Sequence, residues 1–305
     1  MSNYLEFFGL RQQPFTLTTD PKFIYLATPH RDALVGLLRV AVLRKGFMVL
    51  TGDVGMGKTM VLHSALYLMQ QKHSRFQSAL LNMPTLKREE LLEAILEDLQ
   101  IPCPSESKVR RLNALRDRLL ETHRAGGTTI LMVDEAHLLS ADLIEELRLI
   151  AGIDAHDEKL LQLVLCGQPE LHALLDLPQL SAMRQRISVW QRLQPLTAEE
   201  VDTYISGRLK AALCSKQNLF AGETLAAVVE LSGGTPRLVN LICDTALTLA
   251  WEAKQSVITP EVVQNAGLLL KLHRTPPVAS FAVAGISHAD EHRHLRVQTS
   301  RIENR

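Results

Sequence analysis

The stretch GFMVLTGDVGMGKTMVLHS, residues 46–64, decides the fold of this chain. Residues 47–50 are a short apolar run, which is typical of a strand buried on both faces. Residues 52–59 then match the pattern G-x-x-x-x-G-K-[ST] at every position. Residues 60–70 are good helix formers, with apolar side chains at helical spacing. The stretch therefore predicts a strand, a glycine-rich loop and a helix in direct succession.

The residue types of this loop are those that bind the phosphate chain of a nucleotide. Glycines let phosphates approach the backbone N–H groups, and the following helix directs its positive dipole end at the anion. We expect Lys58 to contact the β- and γ-phosphates and the Thr59 hydroxyl to ligate Mg²⁺. A glycine-rich turn with an idle lysine is the alternative, which the flanking strand and helix disfavour. The predicted nucleotide-binding residues are Gly52, Asp53, Val54, Gly55, Met56, Gly57, Lys58, Thr59 and Met60.

Two carboxylates follow another predicted strand. Residues 128–133 are β-branched and apolar, and Asp134 and Glu135 come directly after them. We expect Asp134 to belong to the Mg²⁺ shell and Glu135 to polarise an attacking water. An acidic helix N-cap would explain the same pair. Their position about 75 residues after the phosphate loop favours catalysis.

Length and composition bound the class of protein. The 305 residues are 46% hydrophobic and 22% charged, which suits one large globular domain or two smaller ones. Equal numbers of basic and acidic residues, 33 of each, remove any global argument for a nucleic-acid partner but allow a local basic patch. No signal peptide is visible, the cysteines are far apart, and no apolar stretch is long enough to span a bilayer. These features favour a cytoplasmic protein.

Strands and helices alternate through the first two thirds of the chain, which predicts a mainly parallel sheet. Ligands gather at the carboxyl ends of such strands, where Gln168 is placed to contact the γ-phosphate or the water. From Thr197 the pattern becomes all-helical. We therefore predict an α/β protein with a five-stranded parallel sheet flanked by helices, followed by a helical lid. The expected segments are 1–45, packing on the core and placed to contact the base; 46–195, the nucleotide-binding domain; 196–272, the lid; and 273–305, a disordered tail.

Together these motifs resemble those of AAA+ ATPases, which are P-loop NTPases. The finer resemblance is to the ExeA/GspA-like group (general secretion pathway protein A), and it covers about residues 1–270. Its signals are YLEFFGL at 4–10, PF at 14–15, DP at 20–21, GF at 46–47, VDEAH at 133–137, GQPEL at 167–171, RQRI at 184–187 and GTPR at 234–237.

The resemblance implies further roles and the cofactors ATP and Mg²⁺. Gln168 lies near the sensor-1 position, and Arg237 looks like sensor 2, an arginine that reaches from the lid to the γ-phosphate. Arg184 or Arg186 is the expected arginine finger, which completes a neighbour's site; a surface ion pair is the alternative for both. A finger supplied in trans requires a homo-oligomer, either a ring or a filament.

Three functions stay open beneath the ATPase prediction. The first is an ATPase that acts on a protein partner in a secretion, pilus or exopolysaccharide system, cytoplasmic or peripheral at the inner membrane. The second is a DNA-dependent transposition regulator, as in the related TniB/TnsC kind. For DNA, residues 108–124 carry six basic and two acidic side chains, although a solvated helix face explains the same pattern. The third is a nucleotide-bound scaffold with little turnover.

Overall fold

The structure is a computed structural model that describes residues 4–17, 26–72, 76–82, 87–103, 105–155, 158–212 and 219–272. All of these residues belong to the unit that spans residues 1–274. The helices are α1 (Tyr4–Phe8), α2 (Thr28–Val42), α3 (Lys58–Lys72), α4 (Arg88–Asp98), α5 (Lys108–Arg124), α6 (Ala141–Ile150), α7 (Glu170–Leu175), α8 (Ser181–Arg184), α9 (Ala198–Ala211), α10 (Glu223–Ser232), α11 (Pro236–Glu252) and α12 (Pro260–Leu269). The strands are β1 (Phe47–Thr51), β2 (Phe76–Leu81), β3 (Thr128–Val133), β4 (Asp154–Ala155), β5 (Glu158–Lys159), β6 (Leu161–Gly167) and β7 (Ile187–Arg192).

Five strands form a parallel sheet in the order β2-β3-β6-β1-β7. Thr51 of β1 pairs with Gly167 of β6, and Val133 of β3 pairs with Leu165 of β6. The carboxyl ends of β1, β3 and β6 therefore lie side by side at one edge of the sheet. The predicted five-stranded parallel sheet is confirmed, and the antiparallel pair β4–β5 is an addition to it.

Helices cover both faces of the sheet. Side chains of a strand alternate between the two faces, so each strand contributes to the core on both sides. Phe47 and Val49 of β1 enter one hydrophobic cluster with residues of α4, α5 and α6. Met48 and Leu50 enter a second cluster with residues of α2 and α3. All five residues of β1 are buried. Burial on both faces explains why the strand reads as a continuous apolar run.

A third hydrophobic cluster includes residues of α9 to α12, the helices of the segment predicted as a lid. Its first residue from the second half of the chain is Leu196, next to the predicted boundary at 195. The cluster also takes Tyr4, Phe8 and Phe15 from the N-terminal segment. That segment is thus divided: its aromatic start packs with the lid, whereas α2 packs against the sheet.

Some sequence expectations differ from the structure. The helical spacing of apolar residues in 32–44 predicts that Val42 faces inward, but it is 54% exposed, because the buried positions of α2 centre on the opposite side. The same spacing in 108–124 predicts a buried Val109, which is 66% exposed. Helix α6 was not predicted, although Ser140 caps it by accepting a hydrogen bond from Leu143 N. No helix in the described ranges has both the length and the apolar character needed to cross a bilayer. The predicted tail, 273–305, and most of the loop after β2, residues 83–86, lie outside the described residues.

Candidate nucleotide-binding site

The glycine-rich loop joins the end of β1 to the start of α3. The loop turns at Gly55 and Gly57, whose φ angles are 81° and 87°. Residues other than glycine rarely adopt such positive φ angles. Lys58 Nζ donates to Gly52 O at 2.8 Å and to Asp53 O at 3.1 Å. The loop therefore bends so that two of its carbonyl groups bind the lysine amine, and it joins a strand to a helix as the sequence predicts.

The predicted magnesium ligands lie against each other. Thr59 Oγ1 in the first turn of α3 donates to Asp134 Oδ2 after β3 at 2.7 Å. The other carboxylate oxygen of Asp134 accepts from Glu135 N at 2.9 Å, and Asp134 is 5% exposed. A hydroxyl and one carboxylate, together with substrate phosphates, are a ligand set that Mg²⁺ favours. The residues present therefore fit a magnesium ion bound to a nucleotide.

Glu135 is held in an unusual backbone conformation directly after the metal pair. Its φ of 52° and ψ of 33° are left-handed, which costs on the order of 1–2 kcal/mol in a residue other than glycine and is typical of functional sites. Its Oε2 is buried and accepts no hydrogen bond from any described residue. The Glu135 side chain as a whole is 43% exposed, so water can reach this side chain, although not at Oε2.

The lid contacts the phosphate loop at the start of α11. Arg237 N donates to Gly55 O at 3.2 Å. A Cβ atom on Gly55 would lie 2.9 Å from Arg237 Cβ and 3.1 Å from Thr235 Cγ2, which is closer than such contacts allow. Glycine at position 55 thus serves both the turn of the loop and the approach of the lid.

A cavity of about 340 Å³ lies between the loop, the end of the sheet and the lid. It brings together most of the residues that the sequence predicts for the site. Those lining it are Val54, Gly55, Gly57, Lys58, Thr59, Met60, Glu135, Gln168 and Arg237. Gly52, Asp53 and Asp134 support this lining through their bonds to Lys58 and Thr59.

Comparison with known proteins agrees with this geometry. The family described as AAA domain matches residues 42–175. Residues 42–175 are an AAA domain. General secretion pathway protein A of Aeromonas hydrophila is 39% identical over 249 residues, which are 81% of this chain and 45% of that relative. The chain thus spans less than half the length of this curated relative. The resemblance of the sequence to the ExeA/GspA-like group is confirmed.

Solved structures show the same fold around the AAA domain. Cdc6p from Pyrobaculum aerophilum superposes with a TM-score of 0.66 at 19% identity, covering 83% of this chain and 69% of that one. The RuvB Holliday junction branch migration motor of Thermotoga maritima superposes with a TM-score of 0.54 at 18% identity, covering 80% of this chain and 70% of that one. At these identities the likeness concerns the fold alone. The predicted fold, an AAA-type P-loop NTPase, is confirmed.

Two histidines at the candidate site were not found by sequence reasoning. His137 lies in the turn after Glu135, with its Nδ1 3.4 Å from Glu135 Oε2 and 3.3 Å from the backbone N of Gln168. His30 of α2 is 1% exposed and its Nε2 donates to Met56 O at 2.7 Å. Burial lowers the pKa of His30, so its ring is neutral and supports the loop from behind. The only available signal was the position of His137 within VDEAH.

The lid adds an arginine that the sequence did not indicate. Arg208 of α9 is 4% exposed, and its Nη1 donates to Pro14 O at 2.9 Å and to Thr16 O at 3.3 Å. Thr16, Leu17 and Arg208 all line the cavity. Arg208 therefore holds the N-terminal segment at the rim of the AAA domain cavity. That this segment contacts the base stays a prediction.

The two arginines predicted as fingers lie elsewhere. Neither is among the described residues that line the cavity of their own chain. Arg184 is 51% exposed, forms an ion pair with Asp176 and lies over the Trp190 ring at 5.4 Å. Arg186 is half-buried, 6.0 Å from the centre of the Phe47 ring. The ion pair of Arg184 is the alternative that the sequence left open, so the finger role stays a prediction for both.

Proposed function

We propose that this chain is a Mg²⁺-dependent ATPase that works as an oligomeric switch or assembly motor in a secretion or envelope system. The observation that carries the proposal is the 2.7 Å hydrogen bond from Thr59 to Asp134, with Glu135 beside it in one cavity. Hydrolysis of ATP requires a phosphate cradle, a metal-binding pair and a carboxylate that orients water. The AAA domain has side chains for all three.

In the proposed reaction a water molecule attacks the γ-phosphate and ADP leaves. Glu135 orients this water and accepts its proton on the carboxylate. Lys58 and the N–H groups of the loop hold the phosphates, while Arg237 stabilises their developing charge from the lid. Thr59 and Asp134 would hold Mg²⁺, which supplies positive charge at the phosphate oxygens when bound.

The proposal includes a second copy of the chain. An arginine finger must be able to reach a neighbour's phosphates. The Arg184 side chain is 51% exposed, whereas a guanidinium nitrogen of Arg186 is buried. Exposure therefore favours Arg184 as the finger of an adjacent protomer. Turnover per protomer should then rise with protein concentration.

The secretion or envelope setting rests on the relative from Aeromonas hydrophila, whose name places it in the general secretion pathway. Because the chain spans 45% of that relative, pathway, protein partner and location at the cytoplasmic side of the inner membrane are all parts of the proposal. The identity of 39% supports a shared ATPase core more directly than a shared partner.

A DNA-dependent regulator is the second candidate, and one surface favours it. The basic face of α5 has Arg110, Arg116 and Arg124 exposed, which could neutralise phosphates without reading sequence. Its other basic residues form ion pairs: Lys108 with Glu146, Arg111 with Glu93 and Arg118 with Glu121. Half of the basic charge of this helix is thus already compensated within the chain.

The test is ATP turnover measured against protein concentration, with and without double-stranded DNA at low salt. Lys58→Ala should abolish nucleotide binding, and tight ATP binding by that variant would contradict the site. Glu135→Gln should bind ATP but lose about 100-fold or more in turnover; undiminished turnover would place the base elsewhere. Bound ATP without turnover in the wild type favours a scaffold. Strong stimulation by DNA that fades with added salt favours the DNA-dependent regulator.

A further inference from the structure

His137 contacts both Glu135 and Gln168, yet the ATPase motifs assign it no role. We propose that His137 is a positioning residue, which holds Gln168 through both ring nitrogens and leaves the Glu135 carboxylate without a hydrogen bond from the ring, so that the exposed part of that side chain can orient the attacking water. This inference rests on the proposed ATPase function, because a Glu135 carboxylate without a hydrogen bond from His137 matters only if that carboxylate orients water. Three features of the structure support it.

The first feature is the location of the ring proton. The backbone N–H of Gln168 points at His137 Nδ1 over 3.3 Å. A backbone amide can only donate, so Nδ1 accepts and carries no proton, and the proton of the neutral ring is on Nε2. Nε2 lies 3.0 Å from the side-chain amide nitrogen of Gln168. Two donors cannot share a hydrogen bond, so we assign the Gln168 amide the flipped orientation, in which its oxygen accepts from Nε2–H.

The second feature is the state of Glu135. Its Oε2 lies 3.4 Å from His137 Nδ1, and no proton stands between the two in this tautomer. Oε2 therefore keeps its lone pairs, in agreement with its lack of a hydrogen bond from any described residue. A proton on Nδ1 would instead bind Glu135 and release the N–H of Gln168. One ring nitrogen thus decides whether the carboxylate is bound or free.

The third feature is the close approach of the histidine to the end of β6. A Cβ atom on Gly167 would lie 3.0 Å from His137 N and 3.3 Å from His137 Nδ1. Any larger residue at position 167 would push the histidine away by a few tenths of an ångström. The His137 side chain is 8% exposed, so its orientation is fixed by packing. The turn that carries Glu135 and the strand end that carries Gln168 are thereby joined.

The experiment compares His137→Asn with His137→Leu, with His123→Ala as control. Leucine keeps apolar volume but no hydrogen bond, whereas the asparagine oxygen can accept from Gln168 N as Nδ1 does. His123 lies in the last turn of α5, shortly before the start of β3, whereas the site lies where the strands end. We would measure kcat, KM for ATP, affinity for a non-hydrolysable ATP analogue and the melting temperature.

We expect His137→Leu to lower kcat by about 10- to 100-fold, the effect of a catalytic group displaced by about 1 Å. Affinity for the analogue and the melting temperature should stay close to those of His123→Ala. His137→Asn should recover part of the lost kcat. Full turnover in His137→Leu would overturn the proposal. So would a kcat that follows melting temperature across the variants, which is the result expected of a packing role.

Gly167→Ala gives a second, independent test, with Gly36→Ala as its matched control. A Cβ atom on Gly36 meets nothing closer than 3.6 Å. We expect Gly167→Ala to reproduce the loss of kcat and Gly36→Ala to leave it unchanged; equal turnover in the two would contradict the close approach.

One measurement does not depend on activity. The ¹⁵N shifts of the His137 ring should show the Nε2–H tautomer, whereas an Nδ1–H ring would refute the inference. An inactive wild type with the Nε2–H tautomer would refute the proposed function, and with it the role of His137 in turnover, while upholding the hydrogen-bonding geometry.

Discussion

Replacing Arg208 with methionine tests how the N-terminal segment is held at the nucleotide cavity. Arg208 Nη1 donates to Pro14 O at 2.9 Å and Thr16 O at 3.3 Å, and the guanidinium lies 5.1 Å from the centre of the Tyr204 ring. Methionine keeps an apolar stem of similar length but removes the charge and the donors. Thr16 and Leu17 line the cavity, so releasing this segment should also lower the affinity for a nucleotide.

The magnitude follows from these contacts. Each carbonyl left without a partner costs about 1–3 kcal/mol if it stays buried, and the contact with the Tyr204 ring adds about 0.5–2 kcal/mol. Methionine also avoids the cost of removing a charged guanidinium from water, which offsets part of this loss. Because the carbonyls at the rim can turn to water, we expect a net loss of about 2 kcal/mol. That loss corresponds to a melting temperature lower by about 4–8 °C.

The assay is thermal unfolding followed by circular dichroism, with analogue affinity measured on the same preparations. Lys210→Met is the control, since Lys210 is exposed on the same helix. Arg208→Met should also accelerate tryptic cleavage at Arg11, because the released segment becomes accessible. The reasoning is refuted if Arg208→Met and Lys210→Met have equal melting temperatures and equal affinities.

Three further predictions concern the loop, a buried histidine and the finger. Gly55→Ala should weaken analogue binding by about 10-fold or more, since the new Cβ clashes with the lid and φ is positive; unchanged affinity in a fluorescence titration would contradict the contact. Burial lowers the pKa of His30, so its contribution to stability is present above the unfolded value of about 6.5 and is lost as pH falls through the lower folded value. Below about pH 6.5 the free energy of unfolding of the wild type should therefore fall faster with decreasing pH than that of His30→Gln, by at most about 1.4 kcal/mol per pH unit. The same pH dependence of this free energy in both proteins would argue against the assignment. Arg184→Ala should regain turnover when mixed with a protomer whose own nucleotide site is inactive, and recovery with Arg186→Ala instead would assign the finger to Arg186.

The sequence by itself determined the elements whose information is local. The strand, loop and helix of residues 46–64 follow from neighbours along the chain: a buried apolar run, glycines where φ must be positive, and helix formers after Lys58. The bounds predicted for β3, residues 128–133, agree with the structure, because they are set by a short β-branched and apolar run. The candidate nucleotide site could be predicted for the same reason, since its loop is contiguous in sequence.

Tertiary structure alone decided which other side chains support that site. His137 meets Gln168 across 31 residues, His30 meets Met56 across 26, and Arg208 meets Pro14 across 194. Such pairs depend on how strands and helices pack, and neither hydrophobic periodicity nor turn chemistry encodes them residue by residue. The exposure of Val42 has the same origin, because the sheet decides which side of α2 is buried. The chemistry of the loop is therefore written in consecutive residues, whereas the geometry that positions it arises only when distant segments pack together.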